Sequence, residues 1–358
     1  MAIKTLPILL VCLSLSFVGS TIQADTEAVI AKATSFSGKA REAYLVENAK
    51  REGAVHLVTT LRNEEVNHLL NRFMVRYPFI QATALRGISG RNLARLEGEF
   101  LAKRITFDLW HTKATFYDWA RRRGMIVPYF SPELPTYPER FTRKQDGFVG
   151  LMISVGIVGY NRRLIKDAEA PRSYEELLDP KWKAKISMDP AGDKTIMALI
   201  VAWGKERAST YFRQLLRQDI QFRRGHALLA QLLCAGEYHI TFELNAHSAA
   251  DLIHKGCPIR LLSLSPIAAE PGGLAVLKGA PHPHASILFY DWMLSKEGLL
   301  ELAKVGRIPT RPDVKPLYPE LEKLQTSTQL SMLMTENAPQ MEEAHRIVQD
   351  VIMKPVAR

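Results

Sequence analysis

Strand-like runs alternate with helix-like runs along most of this chain, and that alternation constrains its fold more than any other feature. Ala54-Val55-His56-Leu57-Val58 reads as a buried strand ending at Thr59 and Thr60. Directly after it, Val66, Leu69, Leu70, Phe73 and Met74 recur at the spacing of one helix face, and Pro78 closes the unit. The plan repeats with a strand over Gln81 to Leu85, a turn Arg86-Gly87-Ile88-Ser89-Gly90 and a helix carrying Leu93, Leu96 and Phe100. A third unit starts at Phe107-Asp108-Leu109-Trp110, with a bend expected at His111 and Thr112 before a helix that runs into Arg121-Arg122-Arg123. Such alternation predicts an α/β architecture built on mainly parallel, doubly wound sheet.

A second series follows a Pro-, Tyr- and charge-rich loop from Ser131 to Asp146. Phe148 to Tyr160 is an apolar strand, and Ser173 and Glu176 have capping-box spacing. Lys185 to Met188 reads as a strand, Asp193 as the cap of a helix bearing Ile196, Leu199, Ile200 and Trp203, and Gly236 as the end of a further helix. Strands are expected at Tyr238 to Phe242 and Ile259 to Leu264. Pro271-Gly272-Gly273 then reads as a break before a strand at Leu274 to Leu277 and helices from His284 to Val305.

The first residues read as an export leader: Lys4 supplies a positive charge, Leu6 to Val18 is almost wholly apolar, and Ala24 offers a small residue for cleavage. That run is too short for a membrane span, so the reading is an exported protein cleaved near Ala24. At 358 residues, 47% hydrophobic and 23% charged, the chain has material for about two domains and is not a disordered segment. Its 47 Lys and Arg against 37 Asp and Glu favour an anionic ligand, acidic partner or negative surface without selecting among them. Cleavage removes Cys12 and leaves Cys234 and Cys257, which form one disulfide or remain two buried thiols.

Common signatures of hydrolases, P-loop enzymes, zinc proteases, thiol redox proteins and dinucleotide binders are absent, so no catalytic residue, cofactor or metal is assigned. His282 and His284, between prolines, read as a solvated helix start. His247 and His254, seven apart, read as partly exposed positions on a surface helix. The loops after strands carry more information, because ligands of open α/β sheets collect where helix N-termini present unpaired N–H groups. Those loops hold Thr59, Thr60 and Arg62, then Arg86 and Ser89, then Thr112 and Lys113. Together they make an anion cradle. Hydroxyls acting as N-caps beside solvated cations explain the same residues without a ligand.

Several segments resemble a family: Tyr160-Asn161-Arg162-Arg163-Leu164, the run Ser173-Tyr174-Glu175-Glu176-Leu177-Leu178-Asp179-Pro180-Lys181-Trp182, and Pro271-Gly272-Gly273-Leu274-Ala275-Val276-Leu277. With Phe289, Trp292, Lys296-Glu297-Gly298 and Arg307-Ile308-Pro309-Thr310, the chain is similar to the periplasmic solute-binding proteins of ABC importers. The likeness is to the type II, two-lobed class that includes ferric-iron, thiamine, polyamine and phosphonate binders. It implies two doubly wound α/β lobes joined by a hinge, with a leader over 1–24, lobe 1 over 25–153 plus 267–358, and lobe 2 over 154–266. The resemblance further implies a monomer that holds a small-molecule solute in its cleft and hands it to a membrane permease. It implies no chemistry and no nucleic acid.

On lobe 2 the resemblance points to Asp193, Thr195, Arg224, His226, Asn245 and His247 as ligand contacts. Ferric-iron binders use adjacent tyrosines on this lobe, whereas Thr241 to Ser248 here contains none. Their first-lobe histidine and carboxylate fall at Arg62 and about Lys113, and cations there repel a metal and attract an anion. An anionic organic solute is therefore expected. The alternatives are a ferric-type metal binder using His111, Glu243 and His247, and an exported enzyme on the same fold. Cys234 and Cys257, each near a helix end on lobe 2, are expected to bond. The hinge is expected near Ile153 to Val155 and Pro266 to Ala269.

Overall fold

A computed structural model describes residues 25–190 and 192–353; the expected leader and its cleavage position lie outside the described residues. Helices α1 (Thr26–Thr34) and α2 (Gly38–Glu52) precede the first repeating units. These are β1 (Ala54–Thr59), α3 (Asn63–Arg76), β2 (Gln81–Arg86), α4 (Ser89–Leu101), β3 (Leu109–Lys113) and α5 (Ala114–Arg122). β1 lies parallel to β2 on one side and to β3 on the other, so all three strands end at one edge. The periodicity of α3 is explained by its buried face of Val66, Leu69, Leu70 and Phe73, with Phe73 packed edge-on against Phe289 at 4.9 Å. The bend expected at His111 and Thr112 does not occur. Both stay in β3 because Leu274 and Gly273 of a neighbouring strand pair with them.

After β4 (Ile126–Val127) and β5 (Thr142–Arg143), β6 (Phe148–Asn161) runs almost wholly buried. At about 3.3 Å per residue its 14 residues extend on the order of 45 Å, enough to cross from one lobe to the other. The second series comprises β7 (Ile186–Met188), α6 (Lys194–Trp203), α7 (Lys205–Leu215), β8 (Gln221–Phe222), α8 (His226–Ala235), β9 (Ile240–Asn245), α9 (Ala246–His254) and β10 (Ile259–Leu262). β7 is parallel to both β8 and β9. The return strand is β11 (Ile267–Leu277).

β11 corrects the expected break at Pro271-Gly272-Gly273: the strand passes through it, antiparallel to β6, with Pro271 opposite Ile153 and a register shift between Gly272 and Gly273. The bulge falls at the glycine pair, a position where strand interiors commonly carry glycine. Glycine is required for a second reason. A Cβ on Gly273 would lie 2.4 Å from the Val149 carbonyl oxygen. The order β2-β1-β3-β11-β6-β9-β7-β8 thus joins two parallel blades through two antiparallel crossing strands, the two-lobed α/β fold.

The chain then forms α10 (Pro283–Leu294), α11 (Lys296–Lys304), β12 (Ile308–Pro309), α12 (Pro319–Thr326), β13 (Leu330–Met332) and α13 (Ala338–Ile347). Helices α10 and α11 complete the first-lobe core, which contains Phe73, Leu274, Phe289 and Leu299. The last segment departs from a tail kept wholly on lobe 1. Leu333, Ala344, Ile347 and Val348 share a core with Ile196, Phe212 and Phe242, and α13 packs against α6. Cys234 and Cys257 are bonded, with Cα atoms 5.2 Å apart, which ties the ends of α8 and α9 together.

Candidate functional site

Six helices begin at one cleft of about 550 Å³ between the lobes. Their first residues or N-caps line it: Arg62 for α3, Ser89 for α4, Lys113 for α5, Lys194 for α6, His226 for α8 and Asn245 for α9. At none of the six does the N-cap side chain accept a hydrogen bond from the helix it precedes. Each N-terminus concentrates partial positive charge and N–H donors, so their convergence favours anions. The N2 amide of α6 is satisfied from another element: Thr195 N–H donates to Glu243 Oε2 at 2.9 Å.

The charged side chains reinforce this. Arg62, Arg86, Lys113, Lys194 and Arg307 line the cleft against Asp193 and Glu270. On the crossing strand β11, buried Glu270 takes Lys113 Nζ at 2.8 Å. From the other lobe, Lys194 Nζ donates to Asn245 Oδ1 at 2.6 Å and to Ser154 Oγ at 3.2 Å. Burial works against the charge of Lys113, but Glu270 and Asp193 outweigh it and hold its pKa above the ordinary value. Burial likewise opposes ionisation of Asp193, yet Lys113, His345 and Lys194 hold its carboxyl below the usual range. Burial pushes Lys194 down and Glu270 up.

Behind the first-lobe wall, Glu65 joins two arginines. Its Oε2 receives Arg307 Nη2 at 2.6 Å and the Arg62 backbone N–H at 2.8 Å, and its Oε1 receives Arg62 Nε at 2.8 Å. Glu65 and Arg307 are buried whereas the Arg62 side chain is 42% exposed, so of the two guanidinium groups Arg62's is the one that faces solvent. Burial and then Arg307 depress the pKa of His111 to about 3. His247 is driven well below its ordinary value by burial, Arg307, Lys194 and Arg62. Both imidazoles are therefore neutral at physiological pH.

Of the residues expected from sequence, Thr60, Arg62, Arg86, Ser89, Thr112, Lys113, Asp193, His226, Asn245 and His247 lie along this cleft. Three do not line it. Thr59 is buried behind the wall, where its Oγ1 accepts from the Leu61 N–H; Thr195 is buried under the α6 N-terminus; and Arg224 is exposed outside. Asp193 sits at the α6 N-cap position but gives its carboxylate to His345 Nε2 at 3.1 Å. The solvated readings of three histidines are also corrected. His247 is buried in the cleft, His282 binds the buried Asp108 at 3.0 Å, and His284 binds Glu52 at 2.6 Å. Sequence reasoning missed Lys194, Ser154, Glu270 and Arg307 as cleft residues. A lone acid inside the apolar run Ile267-Ala268-Ala269-Glu270 was the available signal for one of them.

A larger cavity of about 730 Å³ opens on the outside of lobe 1 between α2 and α10. Arg41, Arg76, Lys296 and Arg311 line it, and each already has a carboxylate partner in Asp291, Glu42, Asp313 or Glu133. It lies away from the strand ends and offers no unbalanced charge, so the interlobe cleft is the stronger candidate site.

Residues 106–227 match the family model described as bacterial extracellular solute-binding protein. An uncharacterized protein of Haemophilus influenzae is 28% identical over 234 residues, which are 61% of this chain and 66% of the relative, just under two thirds of its length. Iron uptake protein A1 of Synechocystis is 21% identical over 300 residues, 78% of this chain and 82% of that protein. Iron-bound HitA from Pseudomonas aeruginosa is similar at a TM-score of 0.71 and 19% identity, covering 84% of this chain and 99% of HitA. AfuA from Actinobacillus pleuropneumoniae with fructose-6-phosphate bound is similar at 0.68 and 21% identity, covering 84% of this chain and 98% of AfuA. The fold is that of the two-lobed periplasmic binding proteins, and the sequence resembles the extracellular solute-binding proteins.

Proposed function

We propose that this chain, with the sequence likeness and the two-lobed fold of the periplasmic solute-binding proteins, captures a small anionic organic solute and delivers it to the permease of an ABC importer. The observation that carries the reading is the convergence of six helix N-termini and five cationic side chains on one cleft that holds two carboxylates. Carboxylate or phosphate oxygens accept charge-assisted hydrogen bonds from such donors, and those bonds offset the cost of leaving water. Lobe 1 offers Arg62, Arg86 and Ser89, and lobe 2 offers Lys194, His226 and Asn245. A solute touching both sets gains contacts only when the lobes approach, and that difference drives closure about β6 and β11. The closed shape is what a permease would recognise. No covalent chemistry is required of any residue.

A second reading is ferric iron. The names of two relatives favour it, Iron uptake protein A1 and the Fe(3+)-binding periplasmic protein of Serratia marcescens, the latter 19% identical over 183 residues. On names alone, iron is the better supported cargo. The side chains argue otherwise: no tyrosine lines the cleft, and among the described residues no group of three His, Cys, Asp or Glu side chains could hold a metal ion. A bare cation would also meet five like charges.

Native mass spectrometry of freshly purified protein, followed by thermal-shift titration with citrate, inorganic phosphate, fructose-6-phosphate, ferric citrate, ferric chloride and an amine, separates the readings. Stabilisation by free oxyanions is expected, because a ligand bound only to the folded state raises its stability. Arg62→Ala should weaken oxyanion binding roughly tenfold to a hundredfold. Stabilisation by ferric chloride or the amine alone would overturn the anionic reading.

A further inference from the structure

Two buried donors in the cleft wall have no partner: Nε2 of His111 and Nε of Arg307. Each belongs to a residue that is more than nine-tenths buried and lines the cleft. Each is also held from behind. Arg307 is anchored through Nη2 on Glu65, and His111 through Nδ1, which lies 3.2 Å from Thr59 Oγ1. Unpaired buried polar atoms cost free energy, so two of them at one site call for a ligand.

The Thr59 contact sets which His111 nitrogen carries the proton. Thr59 is fully buried, and its Oγ1 already accepts the Leu61 N–H at 3.1 Å. A hydroxyl has one proton to donate, and the acceptor within reach is His111 Nδ1. Were Nδ1 protonated instead, the threonine O–H would be left buried without an acceptor. The chain Leu61 N–H to Thr59 Oγ1, then Thr59 O–H to His111 Nδ1, therefore leaves the imidazole proton on Nε2. That atom faces Gly272, which lines the cleft; a Cβ there would sit 3.1 Å from it.

We propose that His111 Nε2–H and Arg307 Nε–H are a pair of fixed donors for one oxyanion group of the solute, with Thr59 and Glu65 as the residues that position them. This rests on the anionic reading of the cleft and sharpens it. Both donors lack a lone pair directed at the ligand, so the site accepts carboxylate, phosphate or sulfonate oxygens and rejects metal ions and ammonium groups. Metal ligation by His111 would need the opposite tautomer. The charged groups that bear on this imidazole are Arg307, just before β12, and Glu65 on α3, and burial with Arg307 keeps it uncharged.

The test is histidine nitrogen NMR on the mature protein, with His111→Gln used to assign the signals. Wild type should show His111 uncharged with its proton on Nε2 from about pH 5 to 8, and citrate or inorganic phosphate should shift the Nε2–H resonance. Thr59→Val should shift protons toward Nδ1 and weaken citrate or phosphate by about tenfold, and Thr59→Ser should restore both. A wild-type proton on Nδ1, an imidazolium at pH 6, or a bound oxyanion that leaves the His111 signals unmoved would overturn the inference while leaving the anionic reading intact. Failure of every oxyanion to bind would overturn both.

Discussion

Replacing Arg307 by methionine tests the wall of the cleft directly. The substitution keeps length and removes the guanidinium that meets Glu65 Oε2 at 2.6 Å, in a pair whose side chains are 10% and 3% exposed. Breaking a buried pair costs about 3–5 kcal/mol because a charge is stranded. Glu65 retains Arg62 and its backbone N–H, so the lower end, about 3 kcal/mol, is expected. With an unfolding entropy of about 2.1 cal/mol/K per residue over roughly 330 residues, that corresponds to a fall in Tm of about 4 °C for concerted melting. Citrate or phosphate binding should weaken by a further tenfold or more, since the Nε donor goes too.

The same pair has a pH signature. Burial opposes ionisation of Glu65, but Arg307 and Arg62 hold its carboxyl below the usual range. A lowered folded pKa contributes stability above the unfolded value, about 4.3, and that stability is lost as pH falls through the folded pKa. Arg307→Met should therefore lose less stability than wild type on acidification below about pH 4. Urea melts of wild type, Arg307→Met, Glu65→Gln and the double variant give the coupling. Additivity of the two single effects to within about 0.5 kcal/mol would refute the ion pair, and a Tm unchanged by Arg307→Met would refute the argument from burial.

Thiol titration of the denatured, unreduced protein produced without residues 1–24, and so without Cys12, should find no free thiol, because Cys234 and Cys257 are bonded. Cys234→Ser with Cys257→Ser should cost about 3 kcal/mol in urea melts, the loop entropy for a separation of 23 residues. A hydrogen bond to Asp108 raises the His282 pKa despite burial, so its contribution is complete below the unfolded value of about 6.5 and lost as pH rises through the folded pKa. His282→Asn should then lower Tm at pH 6 more than at pH 9; equal losses would refute the assignment. Small-angle scattering should show a smaller radius of gyration with saturating citrate or phosphate than without, and an unchanged radius in protein shown to bind would count against lobe closure.

Local chemistry made the repeating units readable in advance. The periodic apolar residues of α3, the Gly236 end of α8, and the loops carrying Arg62, Arg86 and Lys113 are properties of short segments, and the places of those three loops at the cleft follow once the strands are parallel. Apart from the Cys234–Cys257 bond, what could not be read was set by pairing between distant segments. Pro271-Gly272-Gly273 looks like a break, and becomes the middle of a strand only because β6 and β3 hold it from both sides. Arg307 and Lys194 look like ordinary surface charges until the segment before β12 and the second lobe bring them to one cavity with Glu270 of the crossing strand. Thr59, a natural ligand candidate by its place after β1, is turned away from the cleft and acts on His111 instead. Helix and strand periodicity depends on neighbours a few residues apart, whereas burial and charge at the cleft depend on contacts between residues tens to hundreds of positions apart, such as Glu65 with Arg307. Tertiary structure alone creates those contacts.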